Sequence, residues 1–154
     1  MATWLVLLTI GLPWIGGLLV WLISDSRPRV QHALAGLFAA AAGVASLLLV
    51  TQAGALPVVT IPIGGIFGDL TFIPNGMGVF LAAVATVVGC LAVIFSIDYM
   101  RGEAQLGRYY ATVLLFIGAM TGLVLTGSLL FMFFFWEITA FCSYALISFH
   151  NDNP

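Results

Sequence analysis

Lysine is absent from this sequence, and only 6% of its 154 residues are charged. An ordinary soluble domain is about a quarter charged, so a soluble globular fold is excluded. The basic residues are all arginines, none of them in a cluster, and the formal net charge is −2. That leaves no electrostatic footprint for nucleic acid. Cysteine is scarce: Cys90 and Cys142 both lie in apolar runs, which suits small packing residues rather than a disulfide. There is no Cys-x-x-Cys pair, no phosphate-cradling glycine loop, no metal-ligand spacing and no Ser, Cys or His catalytic set. No metal, cofactor or catalytic chemistry is therefore expected in this chain. Internal repeats and low-complexity tails are also missing.

What is present is apolar length. The chain is 62% hydrophobic and its mean hydropathy is +1.18. Apolar runs of about twenty residues predict transmembrane helices rather than barrel strands. The first run has no basic n-region and carries Trp4, Trp14 and Trp21, so it reads as a retained span rather than a signal peptide. The tryptophans suit interface anchors or lipid contacts.

Five spans are expected: about Trp4–Ile23 with Pro13 as a kink site, His32–Thr51, Asn75–Ile97, Tyr109–Thr126 and Leu129–Phe149. Ser24–Gln31 reads as a short polar turn. Residues 52–74 carry Pro57, Pro62 and Pro74 with Gly64, Gly65 and Gly68 between two β-branched runs. This predicts a β-hairpin outside the bilayer. The fold class is thus all-α integral membrane, about five transmembrane helices with a small external hairpin. Residues 1–97 form the first three spans and the hairpin; residues 98–154 form a polar loop and two more spans. Arg27, Arg29, Arg101 and Arg108 fall in the first and third loops, and the long second loop has none. The positive-inside rule then puts the N-terminus outside and the C-terminus inside a cytoplasmic membrane.

One residue resists a structural explanation. Glu137 sits in FMFFFWEITAFC (131–142), near the middle of the fifth span. A carboxylate at that depth costs about 2.5–3.5 kcal/mol on insertion scales, and intramembrane acids by default mark proton or ion pathways. Phe133, Phe134, Ala140 and Phe141 lie one turn away and Tyr144 two turns along. Their apolar setting disfavours the charged form, and no basic residue of this chain lies at that depth. Trp136 and Tyr144 are candidate supporting residues. Asp98, Arg101, Glu103 and Arg108 are candidate inner-surface charges, read first as a solvated loop and second as a proton entrance or docking surface. His32 and His150 at span ends suit interfacial histidines better than haem ligands. Gly118-x-x-x-Gly122 suggests close helix contact. From the residues alone, the chain is a polytopic membrane protein with one buried acid.

The second half adds a resemblance. Asp98-Tyr99-Met100-Arg101-Gly102-Glu103, Arg108-Tyr109-Tyr110, Phe135-Trp136-Glu137 and Cys142–Phe149 (CSYALISF) together resemble the antiporter-like proton-pumping subunits of respiratory complex I, subunit L in particular. The same family includes Mrp-type Na⁺/H⁺ antiporter subunits and membrane subunits of energy-converting hydrogenases. Asn75-Gly76 stands where many members have Asp-Gly. The resemblance implies a larger bundle with two inverted repeats, the first starting in residues 98–154. It also implies that Glu137 is the fifth-helix glutamate that pairs with a lysine of a broken seventh helix. Everything after the fifth helix is missing here, in keeping with the absence of lysine. The implied protein is the N-terminal part of a proton-translocating subunit of an NADH-quinone oxidoreductase-type complex. Its expected partners are the lipid bilayer, other membrane subunits, and the missing C-terminal helices or a companion chain. Alternatives are the ion-moving subunit of an Mrp-type antiporter or membrane-bound hydrogenase, and a scaffold that moves no ions. A small multidrug exporter is disfavoured by the hairpin, the five spans and the motifs after Asp98.

Overall fold

A computed structural model describes the backbone of residues 2–150 and the side chains of residues 3–149. It contains five long helices: α1 (Ala2–Leu22), α2 (Pro28–Thr51), α3 (Gly76–Tyr99), α4 (Leu106–Leu125) and α5 (Leu129–Ile147). All five are long and apolar enough to cross a membrane. α1 continues through Pro13 as one helix. The hairpin between α2 and α3 pairs β1 (Val59–Ile61) with β2 (Leu70–Phe72) antiparallel, and Thr60 lies opposite Thr71. A 3-10 turn at Gly65–Phe67 closes it, with Gly64, Gly65 and Gly68 at positive φ, where a side chain would be strained.

Two boundaries differ from the sequence expectation. α2 starts at Pro28, whose missing N–H costs nothing in a first helical turn. Arg29 and Gln31 are therefore helical, and Gln31 is fully buried rather than part of a polar turn. Similarly, α4 starts at Leu106 after Gln105, which adopts a left-handed conformation, so Arg108 lies in a first helical turn.

α4 is the central element and packs against α1, α3 and α5. Small residues let the helices approach closely. Between Gln31 and Leu49, the buried side of α2 is Ala35, Ala39, Ala42, Gly43, Ala45 and Ser46. Gly118 and Gly122 of α4 each receive an aromatic ring. The Trp14 indole lies against Gly118 and the Phe135 ring against Gly122, and the two rings are 6.0 Å apart. Trp14 Nε1 also donates to the Leu115 carbonyl at 3.2 Å.

The hairpin is fastened to the α4–α5 junction. Ile73 N donates to the Leu125 carbonyl at 2.8 Å, and Gly127 N donates to the Thr71 carbonyl at 2.7 Å. One of the carbonyls left open at the end of α4 is satisfied in this way. Asn75 Oδ1 caps α3 by accepting from Gly78 N at 2.7 Å. The bundle thus has a hairpin end and an opposite end that carries all four arginines.

Candidate functional site

α5 is held by a narrow stripe. Phe135 and Cys142 are its buried residues, seven positions apart, with Phe131, Ile138 and Leu146 half-buried along the same line. This stripe packs on α4. Only 11% of the apolar stretch of α5 is buried, against 33–44% in the other four helices. Most of the remaining circumference of α5 is uncovered, although Thr139, Ser143 and Ala145 are half-buried.

Glu137 lies on that uncovered side. It stands two residues after Phe135, which at 3.6 residues per turn places it about 200° round the helix. Phe133, Trp136, Ala140, Tyr144 and Ile147 share its outward face, and all are exposed. As the ninth residue of the nineteen in α5, Glu137 lies roughly 15 Å along the axis from Ile147. Its carboxylate has no ion-pair or hydrogen-bond partner among the described residues. Trp136 lines a 340 Å³ groove between α4 and α5 with Phe116, Met120, Thr139 and Ser143. Tyr144 is 71% exposed. Arrangement and chemistry agree on one point: an acid at mid-span faces away from its own bundle, so any partner must come from outside this helix set.

The charges of the 98–108 segment lie at the arginine end, apart from Glu137. Arg101 Nη2 pairs with Asp98 Oδ1 at 2.7 Å, with both side chains mostly exposed. Such a pair contributes about 0–1 kcal/mol. Arg108 Nη1 donates to Gln105 Oε1 at 3.3 Å, and Glu103 is exposed.

A polar network at the same end was not anticipated from the sequence. Asp25 Oδ1 accepts from Gly107 N and from Gln31 Nε2, both at 3.0 Å, and Gln31 Nε2 also donates to the Ile23 carbonyl at 2.9 Å. This ties the α1–α2 turn to the start of α4. Gln31 Oε1 is buried without a partner among the described residues. His32 Nδ1 lies 2.6 Å from the Tyr110 hydroxyl, and the Tyr109 hydroxyl lies 2.8 Å from Ser96 Oγ. The side chain of His150 lies outside the described residues. The one available sequence signal was Pro28, which starts a helix early enough to turn Gln31 and His32 inward. Deeper in the bundle, Ser46 Oγ and Thr86 Oγ1 join α2 to α3 at 2.5 Å.

Comparison with known proteins agrees with the motifs. Residues 61–110 match the family model described as NADH-ubiquinone oxidoreductase (complex I), chain 5 N-terminus. Subunit A1 of a Na⁺/H⁺ antiporter from Staphylococcus haemolyticus is 39% identical over 110 residues, 70% of this chain and 13% of the relative. The subunit of the same name from Staphylococcus saprophyticus is 46% identical over 78 residues, 51% of this chain and 10% of that protein. Its counterpart from Staphylococcus aureus is 40% identical over 78 residues, with the same coverage. The matched stretch is therefore a small part of each relative. Over it, the chain is similar to the N-terminal part of the antiporter-like membrane subunits, to complex I chain 5 through the family model and to the Na⁺/H⁺ antiporter A1 subunits through the relatives.

Proposed function

We propose that this chain supplies the N-terminal helices of an ion-translocating antiporter-like subunit, and that Glu137 is the proton carrier or switch in it. The observation that carries this reading is the unpartnered carboxylate on the outward face of α5, at mid-span. An apolar surround disfavours the charged carboxylate, and an approaching cation favours it. A lysine brought towards Glu137 by later helices of the subunit would drive proton release, and its withdrawal would drive uptake. Trp136 and Tyr144 flank the acid on the face where that partner would arrive.

The names of the relatives above favour a Na⁺/H⁺ antiporter subunit over the respiratory subunit that the motifs put first. The complex I family match over residues 61–110 supports the respiratory complex as the second reading. In either case the subunit lies in the cytoplasmic membrane with other membrane subunits. The gathering of Arg27, Arg29, Arg101 and Arg108 at one end supports an orientation with that end inside and the hairpin outside.

Glu137→Gln in the complete, assembled subunit tests the proposal. Ion exchange in membrane vesicles should fall to background while assembly is retained, and Glu137→Asp should keep part of the activity. Normal exchange by an assembled Glu137→Gln complex would reduce Glu137 to a structural acid.

A further inference from the structure

We propose that a crevice at the arginine end binds the phosphate headgroup of an acidic phospholipid. The crevice measures 640 Å³ and lies where the start of α2, the end of α3 and the start of α4 meet. That volume is within the range of about 300–1,000 Å³ typical of ligand clefts. Its polar lining is two arginines, Arg29 and Arg101, and His32. Pro28, Ile97 and Leu106 supply an apolar floor.

The charges are open to a ligand. Arg29 has no ion-pair partner among the described residues, and Arg101 is engaged only through Nη2, by Asp98. His32 Nδ1 is occupied by the Tyr110 hydroxyl, which orients the ring and leaves Nε2 without a partner among the described residues. Both guanidiniums line the same crevice, and the planar arginine fork is matched to phosphate oxygens. A lipid suits the site better than a soluble anion because the walls continue as bilayer-facing surface. On the helices that form the crevice, Leu37 is 63% exposed and Ile94 is 52% exposed, a surface for acyl chains below the headgroup. Basic pockets between spans at the inner leaflet are recurrent sites for anionic headgroups.

Native mass spectrometry of the full chain in detergent tests this, with short-chain phosphatidylglycerol and phosphatidylcholine as probes. Phosphatidylglycerol should be retained in preference. Retention should weaken about fivefold in Arg29→Ala and about thirtyfold in Arg29→Ala/Arg101→Ala. The charge-matched variant Arg27→Ala/Arg108→Ala should bind as the native chain does. Arg29 is exposed, so the single variant keeps the fold if the double one does not. Equal losses in the two double variants would reduce the effect to diffuse surface charge and overturn the proposal. So would equal retention of the two lipids, or displacement of phosphatidylglycerol by millimolar inorganic phosphate, which would mark a site for a soluble anion.

Discussion

At the scale of single residues, packing outweighs hydrogen bonding in holding this bundle. Across a membrane interior an interhelical hydrogen bond contributes about 0.6 kcal/mol on average. The bond between Ser46 and Thr86 joins two helices, and Thr86→Val should therefore lower stability only slightly. Gly118 is different, because a side chain there would meet the Trp14 indole and the Ile10 carbonyl. Gly118→Val should destabilise by about 1–3 kcal/mol, the usual range for overpacking. Thermal unfolding of both variants in detergent, followed by circular dichroism, should show the larger loss for Gly118→Val. The opposite ranking would make the polar contact the stronger tie. Gly107 belongs with Gly118: an added Cβ would lie 2.9 Å from Gln31 Nε2, inside the Asp25–Gln31 network.

At the scale of elements, the helices and hairpin were legible because each rests on a local signal. Runs of apolar residues gave the spans, and Pro and Gly between β-branched runs gave β1 and β2. Two helix starts were placed too late because Arg29 and Arg108 looked like loop residues, whereas an arginine stem can lie along a helix while its head reaches water. The contacts of Gln31, His32 and Tyr110 were not legible, since they depend on which helices become neighbours. Glu137 was found from sequence as a mid-span acid, but its direction became clear only with the stripe of Phe135 and Cys142. That direction makes a prediction for α5. A spin label attached in detergent at Ala140→Cys should be strongly relaxed by dissolved oxygen when this chain alone is in a bilayer, and be protected in the complete subunit. Phe135→Ala should detach or loosen α5 by emptying the pocket over Gly122, at a cost of about 3–5 kcal/mol. If the label at Ala140→Cys is equally open to oxygen in both contexts, the Glu137 face points at lipid rather than at a partner.

At the scale of the whole molecule, the five helices form a bundle with one finished side and one open side. Its ends differ in charge, which predicts its orientation. Ile66→Cys at the exposed tip of the hairpin (Ile66 is 96% exposed) should be labelled by an impermeant reagent added outside cells. Glu103→Cys should be labelled only after the membrane is opened, and labelling of Glu103→Cys alone from outside would invert the topology. Among the described residues the open side carries the acid but no base at its depth, so proton flux is expected only when further helices supply one. The most direct test is proton flux into liposomes, measured in parallel for this chain alone, for the complete assembly, and for the assembly with Glu137→Gln. Flux is expected from the native assembly only. Glu137-dependent flux from the chain alone, or undiminished flux from an intact Glu137→Gln assembly, would contradict it.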